Sequence, residues 1–228
     1  MSTLTNATLS KCIRFGLMIG IFVWLVGGQS RTILADEIAI WNFNDSDLTV
    51  DHGTGSLTTT FPTVGFAAGT SINARQGDPA LQALSLVGNA NNGQSITFSV
   101  STLGFGDIRV SFATQRTSTG FNNNQFQYSL DGITFINFQS PFNPAASFSL
   151  IAFDLSSVSG LNNNPNAVFR IVFNGATSAT GNNRLDNLVV EGTSLGSAPV
   201  PEPASLLLLA TGVGGLLSAR RVKRKRKG

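Results

Sequence analysis

Thiols and imidazoles are almost missing from this chain. Cys12 is its only cysteine and His52 its only histidine. Beyond Cys12 there is no thiol for a disulfide, a cysteine-bearing metal site or a thiolate nucleophile. One histidine, set in the loop-like stretch Asp51-His52-Gly53-Thr54-Gly55, excludes the usual zinc ligand sets and leaves any Ser-His-Asp triad resting on a single exposed position. Charge is scarce too, at 12% of residues, and it is segregated along the chain. All 12 acidic residues lie within residues 36–203, where the only cations are Arg75, Arg109, Arg116, Arg170 and Arg184, so this stretch has a formal charge of −7. Such a surface repels phosphate backbones, and no nucleic-acid partner is expected. The positive net charge of the whole chain, +3, belongs to its two ends.

The ends carry transport signals. Lys11 and Arg14 precede a mainly apolar run over residues 15–26, and no acid appears before Asp36. A basic start followed by a short apolar run is the pattern of a secretory signal peptide read by the Sec export machinery. The run is shorter than an ordinary membrane-spanning helix requires. Cleavage after Ala35 is the first expectation; a cut near Gly28 or Ser30, or an uncleaved anchor, are the alternatives. At the other end, residues 196–199 form a small-residue linker into Val200-Pro201-Glu202-Pro203, whose prolines disfavour helix and hold the motif extended. An apolar segment follows over residues 204–219. As a helix it spans about 24 Å at 1.5 Å per residue, short of the roughly 30 Å hydrocarbon core, so it suits a temporary inner-membrane anchor. Arg220, Arg221, Lys223, Arg224, Lys225, Arg226 and Lys227 close the chain and set its C-terminus on the cytoplasmic side.

This order of motif, helix and cation cluster resembles the PEP-CTERM sorting signal of Gram-negative and related bacteria. The resemblance implies recognition of Pro201-Glu202-Pro203 by an exosortase, which removes the helix and basic tail (residues 204–219 and 220–228). It implies a destination at the cell envelope, the cell surface or an extracellular matrix.

Residues 36–195 read as one β domain. Ile96, Phe98 and Val100 alternate with polar residues, as do Ile108, Val110 and Phe112, then Phe126, Tyr128 and Leu130. Ile151, Phe153 and Leu155, then Phe169, Ile171 and Phe173, repeat the pattern, and Leu188 and Val190 close it. Period two marks half-buried strands. Ile38, Ile40 and Asn42 share one strand face, with Ala39, Trp41 and Phe43 on the other. Asp131-Gly132 between apolar runs predicts a hairpin, and Asn/Gly clusters mark the other turns. One short helical turn is expected over residues 78–84, starting at Pro79. The whole is expected to be an all-β antiparallel jelly-roll sandwich. Residues 101–132 and the closing stretch with Arg184-Leu185-Asp186-Asn187-Leu188 resemble jelly-roll domains often joined to PEP-CTERM tails. That implies a galactose-binding-like or lectin-like sandwich and names no ligand.

Asp186 has two readings. It is a calcium candidate, with backbone carbonyls and Asp36 or Glu37 completing an oxygen shell; or it accepts backbone N–H groups or pairs with Arg170 or Arg184. Asp107, Asp131, Asp154, Glu37 and Glu191 supply the carboxylates for any glycosidic cleavage, but their separations are not written in a sequence. Most aromatics alternate with polar residues as core; Phe121 and Phe142, among Asn and Pro, are expected to be exposed. The functional expectation is a noncatalytic exported protein of the cell surface or exopolysaccharide matrix, with an adhesive or structural role. A carbohydrate-binding lectin-like module is the alternative, and a secreted hydrolase a more distant one. Extracellular polysaccharide is the expected partner after export; no cofactor other than calcium is suggested.

Overall fold

The computed structural model describes residues 35–196. The signal segment, the Val200-Pro201-Glu202-Pro203 motif, the apolar segment and the terminal cations lie outside the described residues. Ala35 is the first described position and is exposed.

Twelve strands make up the described part: β1 (Asp36–Trp41), β2 (His52–Gly53), β3 (Ser56–Thr59), β4 (Gly65–Ala68), β5 (Gln82–Val87), β6 (Ser95–Ser99), β7 (Phe105–Arg116), β8 (Gln125–Ser129), β9 (Ile136–Asn137), β10 (Ser149–Asp154), β11 (Val168–Val172) and β12 (Asn182–Ser194). They pair antiparallel throughout, in two sheets. The smaller sheet runs β3-β6-β11-β8-β9. In the larger, β10-β7-β12 forms one side, and the far edge of β12 is divided between two partners. Its first residues pair with β5, which carries β4, and its later residues pair with β1, which carries β2.

Alternation puts one face of each sheet inward. Ile96 and Phe98 of β6, Ile108, Val110 and Phe112 of β7, and Phe169 and Ile171 of β11 are buried, as the period-two pattern requires. Aromatic stacking works both between and within the sheets: Phe126 of β8 stacks across on Phe153 of β10 with ring centroids 4.1 Å apart, and within the smaller sheet Phe98 stacks on Phe169 at 5.5 Å. Each such pair adds about 0.5–1.5 kcal/mol beyond its area burial. Trp41 meets Phe98 edge-on at 6.0 Å, and its Nε1 is the one buried side-chain polar atom without a hydrogen-bond partner among the described residues. The indole therefore fills core volume while forgoing a bond, which offsets its apolar burial by about 1–3 kcal/mol.

Three local expectations change. Residues 78–84 form no helical turn: Asn44 accepts the N–H groups of Leu81 and Gln82, both at 3.0 Å, and donates to the Pro79 carbonyl at 2.8 Å, steering the chain into strand β5. The Asp131-Gly132 hairpin exists, but its connection is wide, running from Ser129 to Ile136. Asp131 itself closes that loop, accepting from the N–H of Ile133 and Thr134 and from the hydroxyls of Ser129 and Thr134. Phe121 is buried against Phe61 and Phe173, and Phe142 packs on Phe112 and Phe153. Phe121 is drawn in because Asn183 binds both its N–H and its carbonyl, which lets a loop residue point its ring into the core.

Candidate functional site

The two outer faces of the sandwich differ in chemistry. On the larger sheet, a strap of residues 69–80 crosses the outer face where β12 bulges. The register of β12 against β7 shifts between Asp186 and Val189, and Asn187 sits at φ 49. Asp186, 1% exposed, accepts the Thr70 N–H at 2.7 Å on Oδ2 and the Asn187 N–H at 2.9 Å on Oδ1. Asn187 donates to the carbonyls of Thr70 and Ile72, and Asn73 donates to the Asn187 carbonyl. Burial pushes the Asp186 carboxyl up to about 6, with the two N–H bonds working against that rise. A side chain at Gly69 would meet Asp186 Oδ2 at 2.5 Å and the Gln82 carbonyl at 2.7 Å, so the strap approaches as closely as glycine permits.

Asp36 and Glu37 are not brought beside Asp186. They pair opposite Gly192 and Glu191, further along β12. Arg170 belongs to the other sheet, and Arg184 donates to the Ala68 carbonyl. Among the described residues, no three His, Cys, Asp or Glu side chains gather closely enough to hold a metal ion.

Beside the strap lies a 280 Å³ groove lined by Glu37, Arg75, Arg109, Ser111 and Glu191, among others. Register places Glu37 directly opposite Glu191, which sequence alone did not reveal. Each glutamate faces a guanidinium: Arg75 Nε is 2.8 Å from Glu37, and Arg109 Nε is 3.8 Å from Glu191. His52 lies on β2 rather than in a free loop, with Nε2 3.5 Å from Asp78 and Nδ1 3.5 Å from Arg75. Of the remaining carboxylates, Asp131 is engaged in its own turn, and the Ser156 hydroxyl, together with the Ser156 N–H that Asp154 accepts, holds the Asp154 carboxyl below the usual range.

The outer face of the smaller sheet carries almost no charge. Across β3, β6, β11, β8 and β9, Arg170 is the only charged side chain. Register aligns Thr58, Thr97, Arg170, Gln127 and Asn137 in one row over all five strands. Four strand spacings make that row about 19 Å long. Its members bond in sequence: Arg170 Nε donates to Gln127 Oε1 at 2.6 Å, and Gln127 Nε2 donates to Asn137 Oδ1 at 2.7 Å. The Arg170 guanidinium lies over the Phe135 ring, 3.6 Å from its centroid. Burial lowers its pKa from the ordinary arginine value. Phe135 and Arg170 are 35 positions apart in the chain, so their stacking had no local sequence signal. The single charge amid polar strand positions was the one available hint.

The described domain is thus an antiparallel two-sheet β-sandwich with one charged and one nearly uncharged outer face. Comparison with family models then adds the tail: residues 199–225 match the PEP-CTERM protein-sorting motif. The chain carries that motif at its C-terminus, which implies export and sorting to the bacterial cell surface. A comparison with curated proteins gives no match. Among solved structures, the chain is similar to the CBM22-1 xylan-binding domain of Paenibacillus barcinonensis Xyn10C at 12% identity, covering 72% of this chain and 97% of that one, with a TM-score of 0.46. It is similar to domain 4 of AbnA, a GH43 extracellular arabinanase of Geobacillus stearothermophilus, solved with arabinotriose, at 15% identity, 71% and 95% coverage and a TM-score of 0.44. TmCBM61, solved with β-1,4-galactotriose, is similar at 14% identity, 65% and 92% coverage and a TM-score of 0.41.

Proposed function

We propose that the protein is a noncatalytic adhesive or structural component of the cell surface or exopolysaccharide matrix, delivered through its sorting tail and freed from that tail by an exosortase. The observation that carries this reading is the PEP-CTERM match over residues 199–225 behind a self-contained sandwich. The short apolar segment and the cations after it act as a temporary anchor; the signal segment starts export, with cleavage after Ala35. On the charged face, Glu37 and Glu191 are each paired with a guanidinium, and we read those pairs as structural.

A second reading, a carbohydrate-binding module, is favoured by one feature of the fold. The outer face of the smaller sheet aligns hydroxyl, amide and guanidinium groups in a row, the donor and acceptor set that sugar hydroxyls pair with. The two readings are compatible if adhesion runs through the matrix polymer.

Fractionation tests the proposal. Cells producing the chain should hold it in the surface and matrix fractions, and cells lacking it should lose matrix cohesion without any change in polymer length. Retention in the cytoplasm, or shortened matrix polymer only when the chain is present, would contradict an adhesive, noncatalytic role.

A further inference from the structure

We propose that Arg170, flattened on Phe135 and set in the polar row of the smaller sheet, is the carboxylate-reading centre of a binding face for an acidic, uronate-bearing polysaccharide. This rests on the matrix-adhesion reading above and names the ligand class and the site.

Charge is the first argument. Among the described residues the ion pairs are Arg75–Glu37 and Arg109–Glu191, and Arg170 is in neither. The other arginines are occupied differently: Arg75 and Arg109 pair with glutamates, Arg116 donates to Asn143 and to the Thr117 and Ser118 carbonyls, and Arg184 donates to Ala68. Arg170 is held by Gln127 through Nε alone, so its two terminal nitrogens make no hydrogen bond among the described residues. A partly exposed cation set apart from every carboxylate keeps its terminal N–H donors available to an anionic ligand.

Geometry is the second. Stacking on Phe135 and the bond to Gln127 fix the guanidinium plane before any ligand arrives. A pre-set planar fork matches a carboxylate through two parallel N–H···O bonds. The nearest acid along the adjoining chain, Asp131, has both oxygens engaged in closing its own loop, so it does not compete. On either side of Arg170, the row offers Thr97 and Thr58 hydroxyls in one direction and the Gln127 and Asn137 amides in the other. Those groups suit the hydroxyls of sugars flanking the uronate. Arg170 is the only charged side chain in the five strands, so the strand surface itself presents a single positive charge within an acidic domain.

The test uses the tail-free form recovered from the cell surface, so that the terminal cations cannot bind a polyanion on their own, with polygalacturonate and its fully methyl-esterified form as probes in affinity electrophoresis. Esterification masks the carboxylate and leaves the sugar backbone intact. The expected result is binding to the free acid at least about tenfold tighter than to the ester, as a charge-assisted bidentate pair implies. Arg170→Gln should lose that preference, and Arg170→Lys, which keeps the charge but not the fork, should fall between. Near-ultraviolet circular dichroism checks that each variant retains its aromatic packing. Equal affinity for both polymers, no binding to either, or an unaltered Arg170→Gln preference would overturn the proposal. In cells, a wild-type chain retained in the matrix that binds neither polymer removes the site and spares the adhesion reading. A wild-type chain missing from the matrix removes the reading on which the site rests.

Discussion

The Asp186 latch makes a pH prediction whose sign and size follow from its surroundings. The carboxyl is buried beneath the strap, and its value in the folded domain is about 6 against an ordinary 3.8. A folded value above the unfolded one means that the native state binds this proton more tightly. The associated stability is fully present below pH 3.8 and is lost as pH rises through about 6. Linkage over those two values gives a loss of about 2 kcal/mol between pH 4.5 and 7.5. The exposed Asp47 and Asp154, whose values are lowered by bonds to Thr49 and Ser156, act in the opposite sense but below that window. Asp51 is raised by burial like Asp186, so the wild-type curve alone would mix the two. Subtracting an Asp186→Asn variant isolates the latch: asparagine keeps the volume and cannot ionise. The assay is urea unfolding of the exported domain, followed by the fluorescence of Trp41, its only tryptophan. The difference between variant and wild type should swing by about 2 kcal/mol in the variant's favour from pH 4.5 to 7.5. Parallel curves would refute the burial of that charge. The absolute offset is a separate quantity, because the amide places a donor against one of two N–H donors at a penalty of about 1–3 kcal/mol.

Other outcomes follow from the packing. Phe126→Ala removes the ring that joins Phe153 and Phe169, and should lower unfolding stability by about 3–5 kcal/mol in the same urea assay. Gly69→Ala drives a methyl group toward Asp186 Oδ2 and the Gln82 carbonyl; it should raise hydrogen exchange at Thr70 and in residues 71–75 well above that of the β6–β11 pairs, and unchanged protection would contradict the close approach. Asp131→Ala removes the four carboxylate bonds that close the loop before β9, so limited proteolysis should cut within residues 131–135 faster than in wild type. Phe135→Leu keeps the loop's bulk but removes the π face under Arg170, and should weaken polygalacturonate binding without shifting the unfolding midpoint by more than a degree or two.

Strands with one solvated face were readable because their alternation survives: Ile96 and Phe98 around Thr97, or Phe169 and Ile171 around Arg170. Strand β5 was not, since Ala83, Leu84, Ser85 and Leu86 are all buried and two-sided burial erases period two. A proline ahead of that run then looked like a helix start. Phe121 was misplaced for a related reason. Its Asn and Gly neighbours are loop formers, but Asn183, 62 positions away, decides where its backbone points. The Arg184-Leu185-Asp186-Asn187 stretch stood out as polar groups in an apolar strand, while its partner Thr70 lies 116 positions off. Likewise, that Glu37 and Glu191 face one another depends on β1 and β12 closing the sheet from opposite ends of the domain. Tail logic, by contrast, is local: Pro201-Glu202-Pro203, an apolar segment and a cation cluster act in chain order, so their pattern could be read directly, and residues 199–225 match it.

Intact-mass measurement of the protein recovered from the cell surface decides whether the tail is removed on delivery. The predicted species begins near Asp36 and lacks the apolar segment and cations beyond Pro203, whereas a chain carrying Glu202→Gln is exported but retains its tail. A wild-type surface species that still ends at Gly228 would contradict delivery by tail removal.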